Sequence, residues 1–161
     1  MTILMILLAI TGGALLSVQA AINSQLGSTV GVFRSAFLTF SVGAIVTVLL
    51  IFFFEPPQST SLLQVPKWQL LGAMFGVPYI VIMVLAVQRI GAAVATVAVI
   101  FGQLTMSMLI DNFGWLGNEA IPFSASRLGA VCCLGIALYF IYSGNRSAAK
   151  RQAQPEAVTA D

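Results

Sequence analysis

Long apolar runs separated by short polar interruptions make up most of the chain. A helix that crosses a bilayer needs roughly 20 mainly apolar residues, about 30 Å at 1.5 Å per residue. Five stretches reach or approach that length: 2–21, 36–54, 68–87, 92–110 and 128–142. The second ends in Phe52, Phe53 and Phe54 before Glu55, Pro56 and Pro57. Gln88 and Arg89 close the third, and Asp111 and Asn112 close the fourth. The fifth is the shortest and can gain a turn from Ser124, Ala125 and Ser126. Only Gln88, Arg89, Ile90 and Gly91 separate the third and fourth runs, so an antiparallel hairpin is expected there. The linkers 55–67 and 111–127 are rich in Pro, Gly, Ser and Asn, as surface loops are. Trp68, Trp115, Tyr139 and Tyr142 fall near span ends, where amphipathic rings prefer the interface.

The pattern predicts an all-α membrane protein with one five-helix transmembrane domain over 1–144. A polar tail, 145–161, is expected to be disordered. A cleaved signal peptide fits the first run poorly, because residues 2–18 contain no Lys or Arg and the run exceeds a usual h-region.

Composition narrows the function classes. Hydrophobic residues make up 59% of the 161 positions and charged residues 7%, against about 25% charged in soluble domains. A small soluble domain leaves too much surface exposed to hide such a chain, whereas a bilayer removes the difficulty. The net charge of +2 comes with no basic stripe, so no nucleic-acid partner is expected. Cys132 and Cys133 are adjacent and are the only cysteines, which excludes a disulfide framework and a cysteine-based zinc site. With no histidine, the chain lacks the commonest general base and metal ligand. No paired carboxylates and no GxSxG elbow are present either, so neither an enzyme nor a metal or other cofactor is expected.

Five spans place the termini on opposite sides. Lys67 and Arg127 fall on the N-terminal side; Arg34, Arg89, Arg146, Lys150 and Arg151 fall on the other. Two basic residues against five favours N-terminus out and C-terminus in. Without the tail the count is two against two, a balance that leaves insertion in both orientations, and an antiparallel pair, open.

Close packing rather than apolar burial decides helix contacts in lipid, and small residues mark them. Gly72 and Gly76 form a GxxxG on the third span, and Pro78 lies two residues further on, where it removes a helical hydrogen bond and invites a kink. A static bend and a broken helix lining a cavity are both compatible with that pattern.

Polar side chains inside spans are expensive and mark pathways or helix contacts. Gln19 and Asn23 are four apart on the first span and share a face. Gln103, Ser107 and Asp111 do the same on the fourth. Gln103 lies deepest, about two turns from the span end, where its amide needs partners. No Asp or Glu sits at the centre of a span; Asp111 stands at an end. This favours handling of a polar or zwitterionic substrate by amides over proton-coupled export of cations.

An ordered set of short motifs points further. Gly13-x5-Gln19-Ala20-Ala21-Ile22-Asn23-Ser24-Gln25-Leu26-Gly27 is followed by Ser35-Ala36-Phe37 and Ser41-x-Gly43. Pro66-x-Trp68 leads to Leu71-Gly72-x3-Gly76. Gly102-Gln103-x7-Asp111-x-Phe113-Gly114-Trp115-Leu116-Gly117 precedes Arg127-x-Gly129 and Gly135. From Ile10 to Gly144 the chain resembles the YdcZ-like family of short bacterial inner-membrane proteins, placed in the drug/metabolite transporter superfamily. The resemblance implies an inner-membrane half-transporter of five helices that works as an antiparallel pair, with an identical protomer or a sibling chain. It supplies no substrate. Gln19, Asn23, Gln103 and Asp111 match its pattern.

The expected function is secondary transport, in the export direction, of a small polar or amphipathic metabolite by alternating access in a dimer of five-helix units. The alternative is a structural or accessory membrane subunit with no transport of its own.

Overall fold

The computed structural model describes residues 1–56 and 65–153, with side chains to 148. Its described residues hold five helices long and apolar enough to cross a membrane: α1 (Thr2–Val30), α2 (Val32–Phe54), α3 (Gly72–Ile90), α4 (Ala92–Phe113) and α5 (Ala125–Ala153). A 3₁₀ turn, Lys67–Leu71, leads into α3. No strand occurs among the described residues. The chain divides into two compact units, Met1–Ala92 and Ala93–Asp161.

In the first unit α1, α2 and α3 each pack against the other two. Gly27 of α1 approaches Val84 and Gln88 of α3 and Ser35 of α2, all within 4 Å of where its β-carbon would stand. Phe40 of α2 meets Gly76 of α3. Numbering thus rises together along α1 and α3 and runs opposite along α2, which is an up-down-up three-helix arrangement. A β-carbon on Gly27 would stand 2.6 Å from Val84 Cγ1, so only glycine lets these helices close to this distance.

Helix α1 extends well past residue 21. Its polar end stays helical because Ser28 and Thr29 turn their hydroxyls onto the Gln25 carbonyl, 2.7 and 2.9 Å away, and because Ala20, Asn23, Ser24 and Gly27 are buried against the neighbouring helices. A single residue then breaks the chain. Gly31 adopts φ 95°, ψ 149°, and α2 starts at once. Gly91 repeats this between α3 and α4 with φ 79°, ψ 160°. Both conformations belong to a region that side-chain-bearing residues avoid. Each glycine donates its N–H to the carbonyl four residues back, Gly27 and Val87 respectively.

Helix α3 passes through Pro78 as one continuous element. Proline offers no N–H to the Met74 carbonyl, but the helix does not divide there. Most side chains on the helix exteriors are apolar and exposed, as a lipid-facing surface requires; Ile45, Phe53, Leu85 and Phe140 are examples.

In the second unit α4 ends at Phe113, and a turn through Gly114 leads to the segment before α5. Ser124 caps α5: its Oγ accepts the Arg127 N–H at 3.3 Å and its carbonyl accepts that of Leu128 at 3.1 Å. The helix continues to Ala153, so the first part of the polar tail is helical backbone, and residues 154–161 lie outside those described.

Candidate substrate pathway

The buried polar groups of the first unit gather where α1 meets α2 and α3. Asn23 is only 7% exposed. Its side-chain Oδ1 accepts a hydrogen bond from the Thr39 hydroxyl at 2.8 Å, and its backbone carbonyl accepts one from the Ser35 hydroxyl at 2.9 Å. Thr39 also lies 3.0 Å from the Ser35 carbonyl. On the α3 side, Gln88 Nε2 donates to the Ser24 carbonyl at 3.1 Å. Four side chains from three helices therefore form a polar knot inside a bundle whose exterior is apolar. Such bonds have no water to replace them in a bilayer core, so the knot fixes how the three helices sit.

Gln19 stands one turn before Asn23, on the edge of this knot, and is exposed. It borders two spaces. The first is a cleft of about 10 Å³ between α1 and α3, walled by Gln19, Ala20, Asn23, Tyr79, Met83 and Val84. That is room for about one water molecule. The second is a groove of about 530 Å³ whose wall includes Thr39, Gly43, Ala44 and Thr47 of α2, Gln19 of α1 and Ile80 of α3. Its size falls within the range of about 300–1,000 Å³ usual for small-molecule sites. Thr39 belongs to both the groove and the knot, so the groove wall connects directly to the buried Asn23 amide.

The other two candidate residues lie on α4, in the second unit. Gln103 is exposed. Asp111 pairs with Arg127 at 3.2 Å; the two side chains are 28% and 38% exposed. The Asp111 carbonyl also accepts the Ile121 N–H at 2.8 Å, and Asn112 Oδ1 accepts that of Phe123 at 3.3 Å. These bonds tie the interhelical segment and the start of α5 to the end of α4. Of the packing residues, Gly76 sits against Phe40, whose ring lies 3.3 Å from where a β-carbon would stand. Gly72 has open space around it, and Pro78 is exposed.

Ser35, Thr39 and Gln88 were not among the candidates read from the sequence. Ser35 and Thr39 are four apart and so share a face of α2, the same signal that picked out Gln19 and Asn23. Hydroxyls in helices usually satisfy themselves on the preceding turn, as Thr11, Ser17 and Thr47 do here, which hides the few that reach across.

Three apolar helices around a polar cluster with a solute-sized groove beside it, and two further helices apolar enough to cross a bilayer, define a multi-pass membrane protein. The family model described as "Putative inner membrane exporter, YdcZ" matches residues 4–140. The chain belongs to that family, as the motif resemblance indicated, and exporters are not an enzyme class. Comparison with curated proteins and with solved structures gave no match.

Proposed function

We propose that the chain is one half of a secondary transporter that moves a small polar or amphipathic metabolite across the inner membrane by alternating access, its second half being another five-helix protomer in the opposite orientation. The observation that carries this reading is the groove bordered by Gln19 and joined through Thr39 to the buried Asn23. A merely structural polar knot has no need of an adjoining solute-sized space. Gln19 and Asn23 line the path in the first unit, and exposed Gln103 of α4 is the pathway residue proposed for the second. Asp111, held by Arg127, acts as a latch at one end of the cycle. The near-balanced loop charges support pairing of oppositely inserted copies.

Pairing is tested by topology. Single cysteines go into the 55–67 loop and the tail, in a background with Cys132 and Cys133 replaced, and intact cells receive an impermeant thiol reagent. Labelling of each site in about half the molecules supports an antiparallel homodimer. Labelling of the loop site alone fixes the chain N-out and requires an oppositely oriented sibling. Flux is tested with Gln103→Leu, which should abolish transport while leaving insertion intact; unchanged transport removes Gln103 from the path.

A further inference from the structure

We infer that the groove beside α2 binds an uncharged solute carrying a hydrogen-bond donor, and that Gln19 is the residue that reads it. This rests on the transporter reading above and specifies its substrate class.

The chemistry of the wall sets the class. Among the described residues bordering the groove there is no Asp, Glu, Lys or Arg. An ion entering a low-dielectric site without a countercharge loses its hydration with nothing to replace it. The polar atoms present are two threonine hydroxyls and one carboxamide. Both hydroxyl hydrogens are already engaged: Thr47 donates to the Gly43 carbonyl at 2.7 Å, and Thr39 donates toward Asn23 Oδ1. What the two threonines present to the groove is therefore acceptor oxygen. Only Gln19 offers N–H donors as well as an acceptor. A matching solute brings an N–H or O–H to the hydroxyl oxygens and a carbonyl or hydroxyl oxygen to Gln19. Primary amides and alcohols satisfy both demands; a carboxylate offers Gln19 an acceptor but brings no donor and an unbalanced charge, and a quaternary ammonium ion satisfies neither demand. The remaining wall, Phe40, Gly43, Ala44, Val48 and Ile80, is apolar and suits a hydrocarbon or aromatic body. Gly43 and Ala44 leave that side of α2 low, so the body can lie flat against the helix.

Equilibrium quenching in vesicles tests this without requiring flux, so a failed transport assay and a failed binding assay are separate results. The reporter is Val48→Trp, at the groove wall, in a background where Trp68 and Trp115 are replaced by Phe. The probes are 4-bromobenzamide, 4-bromobenzoate and (4-bromobenzyl)trimethylammonium, whose bromine quenches nearby tryptophan. Saturable quenching by the amide alone is expected, with about tenfold weaker binding in Gln19→Leu, the equivalent of one lost hydrogen bond. Gln19→Glu should admit the ammonium probe by supplying the missing countercharge. Equal binding of an ionic probe by the unaltered Gln19 protein overturns the substrate class. Non-saturable quenching that is the same in Gln19→Leu, and reproduced by lipids brominated on the acyl chain, means lipid fills the groove and overturns the site. Absence of quenching by every probe and by brominated lipid means that a helix or a second copy covers the groove, which overturns it equally.

Discussion

The hydroxyl of Thr39 on α2 lies 2.8 Å from the carboxamide oxygen of Asn23 on α1, and this bond joins the groove wall to the buried centre of the first unit. Thr39→Val keeps the shape and removes the donor. Loss of about 1–2 kcal/mol of stability is expected, because the Asn23 oxygen is left buried without its partner. Thermal unfolding in detergent measures it. In the double variant with Asn23→Leu the Thr39 substitution should add little, since its partner is already gone.

Gly27 is the tightest point between α1 and α3. Gly27→Ala places a methyl 2.6 Å from Val84 Cγ1. A loss of about 1–3 kcal/mol is expected, as for overpacked interiors. Val84→Ala removes the opposing methyl groups, so Gly27→Ala should cost much less in that background. If the two losses simply add, the contact is not the cause.

Gly31 and Gly91 stand at the same end of the first unit in nearly the same conformation, φ 95° and 79°. Alanine at either position has open space around it but no comfortable backbone well, so each substitution should cost about 1–3 kcal/mol. Gly12→Ala and Gly13→Ala, which lie inside α1 in equally open space, are the controls and should be neutral or slightly stabilising. A Gly31→Ala protein as stable as these controls would contradict the strained-joint account.

Asp111 and Arg127 are partly exposed, so their pair should contribute no more than about 1 kcal/mol to stability. Its role is separable by charge reversal. As a latch, the pair depends on attraction alone: Asp111→Arg should impair transport, and adding Arg127→Asp should restore it. Failure of the double variant, with the protein intact by unfolding, would mean that the carboxylate itself is needed on α4.

Much of this architecture was legible in the chain, and the gaps have physical causes. Twenty-residue apolar runs force membrane helices because an unpaired backbone cannot exist in lipid, so five helices followed from hydropathy alone. The end of α1 was obscured because the apolar run stops near Ala21, while in the structure the polar groups from Asn23 to Thr29 bond to their own helix or to α2 and α3. Gln88 looked like a closing residue of the third span, yet its amide reaches the Ser24 carbonyl 64 positions away. Periodicity cannot reveal such a pairing. The grouping of Gln19 with Asn23 was readable because it needs only four-residue spacing on one helix. The groove was not, since it arises from where α2 lies relative to α1 and α3.

Export by this chain through the Gln19 groove would change the balance of solutes inside and outside cells. Cells lacking the protein are supplied with the unaltered chain, with Gln19→Leu at matched membrane level, or with neither, and the distribution of small solutes is measured by mass spectrometry. At least one uncharged amide or alcohol should move outward with the unaltered chain, and Gln19→Leu should weaken this export about tenfold. Identical distributions with and without the chain, or an outward shift that Gln19→Leu leaves unchanged, would contradict it.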